Sequence, residues 1–312
     1  MGLERNVVLL FNSYTNFESL PKDEDLINRF IRYDVGLLQS NSKREKALQI
    51  LIDAGPEKCA RYVVGALHNP HQAEYAKEYL LLVGPTRDTV NPLTGALRDD
   101  MSKDIAESIL MSYGLTDEVS RALVGCLSDE IPNEAAVRIL KNSSPTVKTY
   151  ACLSAALYNP RQRQYAKEIL IHYGHNLYST GYVILIWMNG DVESSNAARE
   201  ILLSHKYGNR IARLLIINSS KRPNYINATL ELISQIDLDA VSVRGMAELL
   251  DSDDCREVSK FMLMGLDQNI IVRELVSILK LPDVKTEIKA KIEEILQFHK
   301  SQIVKRHTKK LA

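Results

Sequence analysis

Apolar residues recur along this chain at helical spacing, and the whole pattern repeats with a fixed period. Ala76, Leu80 and Val83 stand at i, i+4 and i+7, which places them on one face of an amphipathic helix. The segments 66–84 and 156–174 align without a gap and are identical at more than half of their positions. The same apolar positions recur at a third of that distance in the sequence between them. A fixed period of this kind predicts an array of similar helical units.

Each unit is predicted to contain two helices, A and B. Helix A ends at a glycine that is expected to take the left-handed conformation, and these glycines are Gly55, Gly84, Gly114 and Gly174. Helix B carries two apolar rows that we expect to face the core. The rows are Val63, Leu93, Leu123, Leu153 and Val183, and then Leu67, Leu97, Leu127, Leu157 and Trp187.

Two other rows of helix B contain small or polar residues. Gly65, Gly95 and Gly125 stand between the apolar rows. Because glycine costs a helix about 1 kcal/mol relative to alanine, we interpret this row as the place where a neighbouring helix packs closely. Short polar residues after the second apolar row are expected to cap the next helix A. These are Asn69, Asp99, Asp129, Asn159 and Asn189.

The starts of helix A can be followed along most of the chain. They are marked by Ala47, Ala76, Ala106, Ala136, Ala166, Ala198, Thr229 and Ser259. The sequence therefore predicts an all-α fold, a right-handed α-solenoid of about eight helix pairs in residues 44–290. Residues 1–43 are expected to form an atypical N-terminal helical cap with a helix from Asp23 to Leu38, and residues 291–312 a C-terminal helix and basic tail.

The two helices of each unit also carry a sequence signature. The helix pairs are about 30 residues long, with helix A reading A-x-x-I-L-x-x-x-G and helix B ending in L-x-[ND]. This pattern resembles the short HEAT-like repeats of the phycobilin-lyase type, over roughly residues 44–290. The resemblance implies a solenoid whose B helices line the concave face, and it specifies a fold rather than an activity.

Composition and charge favour a protein free in the cytoplasm. Lys plus Arg and Asp plus Glu both number 39, so the net charge is zero and provides no general attraction to nucleic acid or membranes. No uninterrupted apolar stretch approaches the length of a membrane span, and the N-terminus is a poor signal peptide. The four cysteines are widely spaced among apolar neighbours, which predicts reduced structural thiols. We expect a cytoplasmic monomer with no membrane contact.

The sequence contains no motif for catalysis or metal binding that we recognise. It has no nucleophile elbow, phosphate loop or paired acidic motif. Two H-x-x-H pairs, His68/His71 and His172/His175, have no third ligand at metal spacing and fall at opposite rims of the predicted array. We interpret these histidines as solvated turn residues. We therefore expect no catalytic residue, metal or cofactor.

The fifth unit departs from the pattern and suggests a partner-binding site. Trp187 takes the place of leucine in the second row, and Leu185 the place of glycine. We expect nearby large side chains to be exposed on the B helices, where they would form a hot spot for a protein partner. They are Tyr158, Tyr178, Tyr182 and Met188. The alternative is that these side chains fill a gap where the repeat spacing changes.

Basic residues form two clusters that suggest a second function. One contains Lys206, Arg210, Arg213, Lys221 and Arg222, and the other contains Lys300, Lys305, Arg306, Lys309 and Lys310. Such clusters are usually solvated, but they could also contact nucleic acid or an acidic partner. The sequence thus favours a non-enzymatic scaffold or adaptor that binds a protein on its concave face. The alternatives are a nucleic-acid-binding protein and a lyase- or chaperone-like protein that holds a prosthetic group.

Overall fold

The chain folds into helices. The computed structural model describes residues 24–128, 134–174, 176–204, 210–236 and 238–311, and in these ranges it contains α-helices, short 3₁₀ turns and no strand. The prediction of an all-α protein is therefore confirmed. Among the described residues, no helix combines the length and apolar character needed to cross a lipid bilayer.

Consecutive helices alternate between the two predicted types, with helix A at even numbers and helix B at odd numbers. They are α1 Glu24–Leu37, α2 Arg44–Ala54, α3 Pro56–Gly65, α4 Pro70–Val83, α5 Arg87–Ala96, α6 Lys103–Tyr113, α7 Asp117–Gly125, α8 Glu134–Asn142, α9 Val147–Ala156, α10 Pro160–Tyr173, α11 Leu177–Asn189, α12 Val192–Leu203, α13 Arg210–Ser220, α14 Ile226–Ser234, α15 Ala240–Glu248, α16 Arg256–Gly265, α17 Gln268–Leu279 and α18 Thr286–Leu311.

By their internal contacts the helices divide into two units, Met1–Ile169 and Leu170–Ala312. In the first unit the odd-numbered helices α1, α3, α5, α7 and α9 contact one another in sequence order, and the even-numbered helices α2, α4, α6 and α8 do the same. In the second unit α11, α13, α15 and α17 make the corresponding series, and α14 contacts α16, which contacts α18. Within each of these series, a helix packs against the equivalent helix of the next pair.

The two predicted apolar rows of helix B form the core. Every residue of the first row is fully buried, and Leu67, Leu97, Leu127 and Leu157 of the second row are at most 4% exposed. On helix A, Ala76 and Leu80 are buried, and so are their counterparts in the following units. The periodic positions in the sequence are thus the positions that face other helices, as predicted.

Glycines end several A helices, in a conformation that differs from the predicted one. The backbone angle φ is positive at Gly55, Gly84, Gly114 and Gly174, as expected. At the first three, however, ψ is 155°, −174° and −175°. These glycines are extended with positive φ, a region that is essentially restricted to glycine, rather than left-handed helical.

The expectation of close packing at the glycine row is wrong. Gly65, Gly95 and Gly125 are exposed, and an added Cβ at any of them would meet no atom within 4 Å. Gly36 in α1 is equally free of neighbours and stands one repeat before Gly65. The row therefore lies on an open face of the odd-numbered helices in the first unit, and it extends into the predicted N-terminal cap.

The predicted caps are confirmed at two positions. Asn69 and Asn159 immediately precede α4 and α10. Their side-chain oxygens accept hydrogen bonds from the backbone N–H groups of His71 at 3.0 Å and Arg161 at 3.1 Å. Asp129 lies outside the described residues. These bonds satisfy backbone donors that a helix start leaves without a partner.

The predicted cap at Asn189 is wrong. Helix α11 continues through this residue, whose side-chain amide donates a hydrogen bond to the backbone oxygen of Leu185 at 2.8 Å. The cap of α12 is Asp191, which accepts from the backbone N–H of Ser194 at 2.8 Å. The shift of the cap from Asn189 to Asp191 accounts for the wider repeat spacing at this point of the sequence.

Candidate functional site

Helix α11 exposes a stripe of large apolar side chains. Leu177, Tyr178, Tyr182 and Leu185 are 56%, 56%, 41% and 39% exposed. Tyr178, Tyr182 and Leu185 stand at i, i+4 and i+7 and therefore share one side of the helix. Between the tyrosines Gly181 adds no side chain, and α11 carries no charged residue. We call the four residues the α11 stripe.

The opposite side of α11 fixes the orientation of the stripe. Val183 and Ile184 are fully buried, and α11 packs against α12 and α13. At the start of the helix, Asn176 accepts a hydrogen bond from the backbone N–H of Tyr178 at 2.9 Å, and its own N–H donates to the hydroxyl of Ser179 at 3.3 Å. The capped first turn and the buried side leave the stripe on the solvent side.

Met188 does not belong to the exposed group, and this part of the predicted site is wrong. Its side chain is only 2% exposed. The sulfur lies 3.6 Å from Nη1 of Arg222, and the backbone oxygen accepts a hydrogen bond from the hydroxyl of Tyr225. Trp187 is also mostly buried and contacts the ring of Tyr225. The burial of these two residues fits the alternative that large side chains fill space where the repeat spacing changes.

Tyr158 is exposed, as predicted, but it belongs to the first unit, whereas Tyr178 and Tyr182 belong to the second. Its exposed fraction is 46%. It occupies the position that His68 and Arg98 hold in earlier odd-numbered segments. The α11 stripe is therefore described within one helix of the second unit, and Tyr158 is described by itself as an exposed side chain of the first unit.

The predicted basic clusters are described only in part. Lys206 lies outside the described residues, and so do the side chains of Arg210, Lys305 and Arg306. Arg213 pairs with Glu248, with Nη1 and Oε2 3.2 Å apart at the surface. Because a paired guanidinium has part of its charge compensated, Arg213 adds little to an attraction for phosphate.

The histidines and cysteines offer no chemical site in the described part of the chain. His68 lies 3.1 Å from Asp99, whose carboxylate also accepts from the Ser102 hydroxyl, and these contacts hold the pKa of Asp99 below its usual range. No three His, Cys, Asp or Glu side chains within the described ranges could hold a metal. All four cysteines are free thiols, and burial raises the pKa of Cys59 to about 12, which disfavours the reactive thiolate.

Asp34 is the one strongly perturbed carboxyl among the described residues of the first unit. It is 3% exposed in α1, and Oδ2 accepts no hydrogen bond from any described residue. Burial raises its pKa to about 7, and the positive charge of Lys46 offsets a part of that effect. In the same unit, the thiol of Cys59 and the hydroxyl of Tyr79 are within hydrogen-bonding distance, and each shifts the pKa of the other. The Cys59 thiol lies near enough for the charge of Asp34 to act on it, but its raised pKa disfavours the reactive thiolate.

The open face of the first unit carries a row of arginines that was not predicted from the sequence. Arg32, Arg61 and Arg121 occupy the same position on α1, α3 and α7, and all three are exposed. The signal was present, because Arg61 and Arg121 stand two repeats apart and each has a glycine of the row at its i+4 position. The arginine row was not predicted to be a site because the glycine row beside it was expected to be buried against a neighbouring helix.

Comparison with models of protein families and with curated proteins finds no match to this chain.

Proposed function

We propose that this chain is a right-handed solenoid of HEAT-like repeats that acts as a non-enzymatic adaptor, and that it binds a protein partner through the α11 stripe. The single observation that carries the proposal is the exposure of Tyr178 and Tyr182 on one side of a helix without charged residues. Tyrosines are over-represented at the centres of protein interfaces, whereas charged residues are depleted there.

The chemistry of the stripe indicates what kind of partner it would bind. The two tyrosines present ring faces and hydroxyl groups, and Leu177 and Leu185 extend the apolar surface at either end. At Gly181, between the tyrosines in sequence, an added Cβ would meet no atom within 4 Å, so a partner side chain can approach the backbone there. We therefore expect an apolar segment of another protein, anchored by a leucine, methionine or aromatic side chain.

Other apolar residues in the second unit provide a contrast. Phe261 in α16 is 44% exposed, similar to Tyr182, but it stands apart from the α11 stripe in sequence and on an even-numbered helix. Single exposed apolar residues are normal on protein surfaces, whereas groups of them mark interaction sites. Phe261 is therefore a matched control for the stripe.

Affinity capture from a lysate tests the proposal when three proteins are compared: the wild type, the double variant Tyr178→Ala/Tyr182→Ala and the control Phe261→Ala. Quantitative mass spectrometry should find a protein retained by the wild type and by the control but lost from the double variant. All three proteins should have the same helical circular dichroism. Equal retention by the wild type and the double variant would contradict the proposal.

Salt dependence separates the adaptor from a nucleic-acid-binding protein. Apolar contacts at the α11 stripe should persist when ionic strength is raised, because they involve no screened charge. Phosphate contacts by Lys305 and Arg306 would weaken steeply with salt. Loss of all retained material at high salt, together with its loss in Lys305→Ala/Arg306→Ala, would instead favour the nucleic-acid function.

A further inference from the structure

Exposed arginines form a row along the first unit. Arg32, Arg61 and Arg121 stand at equivalent positions of α1, α3 and α7, and Asn91 takes that position in α5. All four side chains are exposed, whereas the core rows of the same helices are buried. The arginine row therefore lies on a different side of these helices from the core rows. Consecutive members are carried by helices that contact each other.

Two of these arginines lack the partners that other cations of the unit have. No described residue forms an ion pair or hydrogen bond with the side chains of Arg61 or Arg121. On the even-numbered helices, by contrast, Arg138 pairs with Glu107 through two bonds of 3.2 and 2.6 Å. Arg61 and Arg121 therefore retain their capacity to bind an anion.

A groove lies next to the row where α5 meets α7. It has a volume of about 500 Å³, and its lining includes Arg87, Asn91, Arg98 and Arg121. One acidic side chain, Glu118, also lines it. Three guanidinium groups against one carboxylate give the groove a cationic character.

The glycine row makes the backbone accessible beside the arginines. On each of the four helices a glycine stands at i+4 from the row position, so both lie on the same side of the helix. An added Cβ would meet no atom within 4 Å at Gly36, Gly65, Gly95 or Gly125. A bound chain could therefore approach the helices closely along this line.

Acidic residues interrupt the cationic face and decide which anion it fits. Glu57, Asp88 and Glu118 lie within about one turn of the row on α3, α5 and α7. A nucleic-acid strand carries a charge at every nucleotide and would meet these carboxylates. A peptide can place carboxylates only where the arginines are and neutral residues elsewhere.

We propose that the open face of α1, α3, α5 and α7 binds an extended acidic peptide segment, whose carboxylates pair with Arg32, Arg61 and Arg121. Neighbouring helices pack roughly 8–10 Å apart. An extended chain covers that distance in about three residues. Because Asn91 interrupts the row, the segment should carry acidic residues at its first, fourth and tenth positions and a neutral residue at the seventh.

Fluorescence anisotropy with labelled synthetic peptides tests this proposal on the full-length protein. The probe is a Gly/Ser peptide with glutamate at the first, fourth and tenth positions, and the control probe has the same three glutamates side by side. The spaced peptide should bind more tightly at low salt. The variant Arg61→Gln/Arg121→Gln should lower its affinity about tenfold, since two charge-assisted contacts are lost.

Matched variants keep the test specific to the row. Arg138→Gln/Arg161→Gln removes the same charge from even-numbered helices and should leave peptide binding unchanged. All substituted positions are exposed, so the variants should melt close to the wild type, with the largest change where Arg138 loses its pair with Glu107. No binding of the spaced peptide, or equal losses in both double variants, would overturn the proposal. So would tighter binding of an oligodeoxythymidylate than of the peptide, which would identify a nucleic-acid site.

The α11 stripe belongs to the other unit and to a different test, so either proposal can fail alone.

Discussion

The rings of Trp187 and Tyr225 pack edge to face, with their centroids 6.2 Å apart and their planes at 62°. Trp187 occupies the row position that holds leucine in the four preceding units. Tyr225 comes from the 3₁₀ turn Pro223–Tyr225, which precedes α14. Trp187, the larger side chain in the core row, thus packs against Tyr225, which comes from a segment where the repeat spacing is wider.

This pair predicts a local stability effect. Trp187→Leu restores the residue type of the row but removes the aromatic contact and leaves unfilled volume beside Tyr225. We expect a loss of about 1–3 kcal/mol in the free energy of unfolding. Urea titration followed by far-ultraviolet circular dichroism measures it, because Trp187 is the only tryptophan. Tyr225→Phe keeps the ring and should lose about 1 kcal/mol. A Trp187→Leu protein as stable as the wild type would show that the pair contributes nothing.

Two glycine substitutions should change the stability of the fold in opposite directions. Gly114 has φ 68° and ψ −175°, which other residues strongly disfavour, so Gly114→Ala should lower stability by about 1–3 kcal/mol. Gly95 lies within the last turn of α5 with open space around it, so Gly95→Ala should raise stability by about 0.5–1 kcal/mol. Thermal melts of both variants give the comparison. A loss at Gly95 would restore the close-packed interpretation of the glycine row.

Asp34 should make stability depend on pH. Its pKa is about 7 in the folded chain and near 3.8 when exposed, so the folded protein binds this proton more tightly than the unfolded chain does. Ionisation therefore destabilises the fold: stability falls as pH rises from about 4 to about 7 and then levels off, by at most about 4 kcal/mol.

The substitution Asp34→Asn removes that ionisation and should stabilise the protein increasingly across the same pH range. Melting temperatures at a series of pH values check this expectation. Asp53→Asn, which removes the charge of an exposed carboxylate of α2, serves as the control for the loss of one negative charge. A constant difference between Asp34→Asn and the wild type from pH 4 to 8 would mean that Asp34 titrates normally.

The sequence predicted the helices well because the core rows repeat at a fixed period. Val63 and its counterparts in the following helix pairs are all buried, as their fixed spacing predicted. The predicted boundary was less accurate at the C-terminal end of the array than for α1, which was predicted to within one residue at each end. Helix α18 begins at Thr286, before the predicted boundary at residue 290, because a polar helix surface has no clear periodic start.

Exposure was harder to predict than periodicity. Gly95 and Leu93 both belong to rows with the same repeat spacing, yet one is open and the other is buried. A glycine has no side chain whose polarity reports its surroundings, so the sequence allowed either interpretation. Met188 was placed on the surface for a similar reason, because its burial depends on Arg222 and Tyr225, which come from a later helix pair in the sequence.

Calorimetry with a partner recovered by capture measures whether the α11 stripe binds a protein. The dissociation constant is measured for the wild type, for Tyr178→Ala/Tyr182→Ala and for Lys305→Ala/Arg306→Ala. We predict that the tyrosine variant weakens binding by at least about 2 kcal/mol, roughly 30-fold, without a change in melting temperature, and that the basic-tail variant binds like the wild type. Unchanged affinity in the tyrosine variant and lost binding in the basic-tail variant would show that the partner binds the basic tail and not the α11 stripe.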